Sequence, residues 1–180
     1  MRKFHSPVAL FALTTMVVLC AAGTAFAANP SDISVTVMIE NLSVSTTGPI
    51  TFGVVTAGSA TVSTVSSTVT NDGNVAETYS LNLTNPAGWT AVQAAPGNEE
   101  YCLSSIFNAA QPAGGDFDYA DHALSTTSTS CSATKFAGDQ TGESVPTSGT
   151  RNLWFEFEAP SATSVTSQQA IVVTVTASAA

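Results

Sequence analysis

From Ile33 onward the chain alternates. Ile33, Val35, Val37 and Ile39 fall on one parity and Ser34, Thr36 and Met38 on the other, and the apolar positions resume one step out of phase at Leu42 and Val44. Successive side chains of a strand point to opposite faces, so a one-residue phase change reverses which face is buried. Glu40-Asn41 is therefore expected to hold a bulge or a turn between strands. Further strands are predicted at Ile50-Phe52-Val54, Val62 to Val69, Val75 to Leu83, Tyr101 to Ile106, Leu153-Phe155-Phe157 and Ile171-Val173-Val175. No dozen-residue window beyond the N-terminal leader has a 3.6-residue period, and β-branched residues are abundant. Seven or more short strands between Gly, Pro, Asn and Ser turns predict an all-β chain, a single antiparallel β-sandwich of immunoglobulin-like or jelly-roll type. Within it, "STVTNDGNVAETYSLNLTN" reads as a hairpin. Val65, Ser67 and Val69 share one face, Asn71 to Asn74 make the turn, and Tyr79, Leu81 and Leu83 share a face on the return.

The first residues change the picture by setting a compartment. Arg2 and Lys3 precede an apolar run from Val8 to Ala22 and then Ala25-Phe26-Ala27, the pattern of a secretory signal peptide over residues 1–27. The run is shorter than the roughly 18 to 20 residues that span a bilayer. A lipidated Cys20 fits poorly, because Leu19 stands where a small residue is wanted. The expected product is exported, to the periplasm, cell surface or medium. Cleavage after Ala27 leaves 180 − 27 = 153 residues, enough for one sandwich domain over 28–180. Its cations are Lys135 and Arg151 against thirteen acids, a net charge of 2 − 13 = −11. That balance argues against nucleic acid and anionic membranes as partners.

Candidate chemistry is sparse. Cys102 and Cys131 are the two cysteines left after cleavage, and an oxidising compartment predicts a disulfide between them, stapling the weakly patterned segment "NAAQPAGGDFDYADHALSTTSTS". A metal or redox pair would want CxxC spacing. Asp116, Asp118 and Asp121 put three carboxylates in six residues, a candidate Ca²⁺ loop with Glu99 or Glu100 completing the shell, although the spacing follows no established calcium loop. The bland alternative is a set of solvated loop acids. On "LWFEFEA", Trp154, Glu156 and Glu158 point opposite to Leu153, Phe155 and Phe157. Carboxylates two residues apart lie roughly 6 to 7 Å apart, which beside a tryptophan suggests a sugar-binding face; the alternative is simply the polar side of a half-buried strand. His122 is the only histidine beyond the leader and no Gly-x-Ser-x-Gly is present, so no serine-hydrolase relay is signalled. Asn41-Leu42-Ser43 and Asn82-Leu83-Thr84 match the N-glycosylation pattern without a context that gives it meaning.

A resemblance rests on "ITFGVVTAGSATVS", on the Asn-x-Gly-Asn of the hairpin and on the late "SQQAIVVTVTAS". Phe-Gly-x-Val, Ala-Gly-Ser, a Val/Thr strand, Asn-x-Gly-Asn and an apolar strand, in that order, resemble bacterial immunoglobulin-like sandwiches of the Hydin and sperm-protein type. With the Gln-rich turn before the last strand they are also similar to the TasA/camelysin group of secreted biofilm-fibre subunits. The likeness covers roughly Ile33 to Leu83 and Ser164 to Ala177. It implies a sandwich and a structural role at the cell surface. The segment holding Cys102 and Cys131 departs from that pattern, and no functional residue is carried over.

Together these readings predict a non-catalytic, exported structural or surface protein, with no cofactor beyond a possible calcium ion. A carbohydrate- or calcium-dependent adhesion module is the alternative, with Trp89, Trp154 and Tyr119 as its aromatic candidates. The amphipathic stretch so near the cleavage site suggests a partner: Ala28 to Ile39 can add as a donor strand to a second copy of the chain, or pair within its own sheet.

Overall fold

A computed structural model describes residues 33–180. The signal-peptide reading and the start of the donor segment, residues 28–32, lie outside the described residues. The chain divides into a short N-terminal unit ending at Val37 and a body running from Met38 to Ala180.

The body is all-β. Its strands are β1 (Val44–Thr46), β2 (Ala60–Val62), β3 (Ser67–Asn71), β4 (Glu77–Thr84), β5 (Thr90–Ala91), β6 (Glu100–Phe107), β7 (Thr129–Ser130), β8 (Thr150–Glu158) and β9 (Val172–Ala179). One sheet runs β1-β3-β8-β6-β5, with β2 on the same edge of β8 as β3 but further along it; the other runs β7-β4-β9. All pairings are antiparallel except β5 with β6. Val69, Tyr79, Leu81, Leu83, Tyr101, Leu103, Phe107, Leu153, Phe155 and Phe157 form one core to which both sheets contribute. The alternation read from the sequence holds where it was strongest. Tyr79, Leu81 and Leu83 share the inner face of β4, and Leu153, Phe155 and Phe157 that of β8.

Four features differ from expectation. Ile33 to Ile39 forms no strand: Ile33, Val35, Val37, Met38 and Ile39 are 75–87% exposed, and no ladder pairs them among the described residues. Alternation qualifies a segment for a sheet, but a strand exists only with a partner. The Val62 to Val69 run splits into β2 and β3. At the break, buried Ser63 donates its N–H to the Phe155 carbonyl (2.8 Å), and its hydroxyl accepts the Phe155 N–H (3.2 Å). Ile50 to Val54 is irregular, with Val54 fully exposed.

The fourth difference answers whether Asn71 to Asn74 closes a hairpin. It does not, because β3 and β4 belong to opposite sheets and the connection arches over the edge of the core. Asn71 Oδ1 accepts the Gly73 N–H (2.8 Å), while its amide nitrogen donates to the carbonyls of Val75 and Val145 (both 2.9 Å). The arch also grips the start of the body. Asn74 Oδ1 accepts the Asn41 N–H (2.8 Å), its amide donates to the Ile39 carbonyl (2.7 Å), and buried Glu77 accepts the Ser43 N–H (2.8 Å). Glu40-Asn41, expected to be a bulge or a turn between strands, is instead irregular backbone held by these bonds, with no strand before it among the described residues. Asn71, Asn74 and Glu77 each use the side chain to hold backbone, with Glu77 Oε2 left buried and unpartnered.

Candidate functional site

β8 is central in its sheet, between β2/β3 and β6, and the segment after β6 folds over its outer side. Residues 122–124 run along the outer edge of β6: the Ser105 N–H bonds the His122 carbonyl and the Leu124 N–H bonds the Leu103 carbonyl (both 2.9 Å). The Trp154 indole N–H donates to the Asn108 carbonyl (2.9 Å), and the Tyr119 hydroxyl donates to Glu158 Oε2 (2.9 Å). β8 is consequently buried on both faces, a correction to its reading as a half-buried strand with a polar side toward solvent.

Between the outer face of β6 and β8, strand β2 and the covering segment lies a half-open cleft of about 640 Å³. Ala60, Val62 and Ser104 form its floor and wall, Gly114, Phe117, Asp118 and Tyr119 its cover, and Glu156 and Glu158 line it from β8. Glu156 is only 7% exposed, yet its carboxyl accepts no hydrogen bond and meets no cation among the described residues. Loss of solvation, with the neighbouring Glu158 charge second, raises it from its ordinary 4.5 to about 7. Gly114 is what admits the covering turn, because a Cβ there would stand 2.9 Å from Glu156 Oε1.

The sequence-predicted residues distribute unevenly over this site. Glu156 and Glu158 do share a face and line one cleft, but Trp154, predicted beside them as a sugar platform, is 9% exposed with its N–H satisfied. Trp89 is half-buried, its ring near those of Tyr101 and Phe157. Asp116, Asp118 and Asp121 are not brought together on a common centre. Asp116 accepts the Ala113 N–H (2.8 Å) and closes the 3-10 turn Gly114–Asp116, Asp118 accepts the Asp121 N–H (2.7 Å), and Asp121 pairs with Lys135 (3.1 Å). Glu99 is spent on Thr163 and Ser164, whose hydrogen bonds hold it below the usual carboxylate range, and Glu100 accepts the Gly97 N–H (2.9 Å). Among the described residues no three His, Cys, Asp or Glu side chains converge as a metal site. His122 is buried, its Nδ1 accepting the Asp118 N–H (3.0 Å), which leaves the proton on Nε2 toward the Ala137 carbonyl.

The predicted disulfide is absent: Cys102 and Cys131 are both free and buried. The reason is parity. Tyr101, Leu103 and Phe107 of β6 point into the core, so Cys102 points outward with Ser104, its sulfur 3.7 Å from that hydroxyl and its thiol raised to about 11 by burial. Cys131 is inside, in the core near Phe107, its thiol raised by burial to about 12. The two sulfurs lie on opposite sides of one sheet. The alternation about Cys102 was visible in the sequence, but the side taken by Cys131 depends on its Tyr79 partner in β4, to which it donates its N–H (2.8 Å).

No family model, curated protein or solved structure matches this chain.

Proposed function

We propose that the protein is an exported, non-catalytic structural subunit that assembles with copies of itself by strand addition, on a sandwich of immunoglobulin-like or jelly-roll type. The observation that carries this reading is the unpartnered Ile33 to Ile39 segment: seven residues with β alternation and three-quarters or more exposed at each of five apolar positions. A complementary acceptor exists in the body. β9 is bonded to β4 alone, and along its other edge the outward-pointing backbone groups of this eight-residue strand carry no ladder among the described residues. Beneath that edge Val173, Val175 and Ala177 pack on the core but stay partly exposed. At roughly 3.3 Å per residue the two segments span similar lengths of about 20 to 26 Å. An added strand would place its Ile and Val row over this open flank and cap the free edge. The burial of Trp154 weighs against it as a sugar platform; the adhesion alternative rests on half-buried Trp89 and on Tyr119, 37% exposed.

Light scattering of the exported form, beside a form lacking Ala28 to Ile39, tests the proposal. The intact chain should form concentration-dependent oligomers and the truncated one should be monomeric, while a synthetic peptide of residues 33–39 should bind the truncated body. A full-length protein that stays monomeric at millimolar concentration overturns it.

A further inference from the structure

The outer cleft has a composition that strand addition does not use. Glu156, more than nine-tenths buried as a residue, lines the cleft, and its carboxyl takes no hydrogen bond from the protein among the described residues. A carboxyl held largely out of bulk water, with only the cleft to supply donors, invites a ligand that brings them. Glu158 and Asp118 add two more carboxylates at the lining, and Ser104 a hydroxyl. The rest is apolar or aromatic: Val62 and Ala60 on one wall, Phe117 and Tyr119 on the cover. A bare metal ion fits badly. About 640 Å³ is far more than one ion fills, and the acids do not converge at ligating geometry. A cation with a hydrocarbon body fits all three elements: ammonium N–H groups for the carboxylates, ring faces for the positive charge, and a methylene chain for the Val62 wall.

We propose that this cleft binds a primary alkylammonium ion, with Glu156 as the buried counter-charge and Glu158 and Asp118 at the mouth. The groups facing Glu156 are Glu158 beside it on β8, Cys102 and Ser104 on β6, and Asp118 and Tyr119 on the cover. The Cys102 thiol and the Tyr119 hydroxyl stay protonated near neutral pH, being raised to about 11 and about 12. A cation needs ionised Glu156, and the empty site holds its proton up to about pH 7. Binding therefore expels a proton below that pH, and affinity climbs from pH 5.5 to a plateau near 8.

Isothermal titration calorimetry of the exported chain with 1-aminopentane, at constant ionic strength, tests this, with pentan-1-ol as the uncharged control. The amine should bind in the millimolar range or tighter, about 30-fold more weakly at pH 5.5 than at pH 8, and the alcohol should give no heat. Glu156→Gln should weaken the amine by about tenfold or more, the scale of one charge-assisted hydrogen bond. Glu158→Gln should weaken it by a smaller factor, and serves if the first variant fails to fold by circular dichroism. Equal binding of amine and alcohol, no amine heat at 10-fold millimolar excess, indifference of folded variants to the substitution, or displacement of the amine by micromolar CaCl₂ overturns the assignment.

Discussion

Gly73 shows how a single position can hold this fold. A Cβ there would collide with Glu77 Oε1 and lie 2.5 Å from the Asn41 carbonyl oxygen and 3.1 Å from Asn71 Oδ1, all parts of the arch that grips residues 39–43. All three of these neighbours are themselves hydrogen-bonded and cannot retreat cheaply. Gly73→Ala should therefore cost about 1 to 3 kcal/mol, seen as a lower midpoint in urea at unchanged slope. Glu156 predicts a pH effect of defined sign. Its carboxyl is raised in the fold, so the native state holds more protons than the unfolded chain between 4.5 and about 7, and stability declines as pH rises through that window. Glu156→Gln should remove this component and gain at most about 3 kcal/mol at pH 8, with little change at pH 4. A stability difference between variant and parent that is flat from pH 4 to pH 8 would contradict the burial assigned here.

At the scale of elements, the two thiols report on strand parity. Native protein without its leader should react with a thiol reagent slowly at both Cys102 and Cys131, because only thiolate reacts and burial keeps both protonated. After denaturation two thiols per chain should appear at once; finding none would mean a bridge and a different placement of β7. The same parity explains what could be read in advance. β4, β6, β8 and β9 were legible because each carries three or more alternating apolar residues long enough to fix a face. β5 and β7, two residues each, carry no period at all and exist only because β6 and β4 offer them an edge. Alternation also could not say which sheet a strand joins, so β3 and β4 looked like a hairpin although a short arch serves equally well. Glu156 and Glu158 were correctly placed on one side of β8. The burial of Glu156 was hidden because the cover, residues 108–124, owes its course to hydrogen bonds such as Tyr119 to Glu158 and Trp154 to Asn108 that no local pattern encodes.

For the molecule as a whole, the core among the described residues lies in the body from Met38 to Ala180, with nothing of it drawn from Ile33 to Val37. Removing Ala28 to Val37 should accordingly leave the thermal midpoint of dilute monomer within about 2 °C of the parent, since a shift much larger would require roughly 0.5 kcal/mol or more of lost contacts. The clamp at the arch then acquires a mechanical meaning. A chain held by its Ile33 to Ile39 segment and pulled along that segment delivers the load first to residues 39–43. There, bonds from Asn41, Ile39 and Ser43 to Asn74, Asp72 and Glu77 lie side by side along one short strip. Bonds loaded in shear share the force and must yield together, whereas bonds peeled from one end yield in turn. The Asn71 to Glu77 arch thus sits where a tether would be anchored, and the tensile strength of a linked row of these subunits would be set there before any strand of the core is strained.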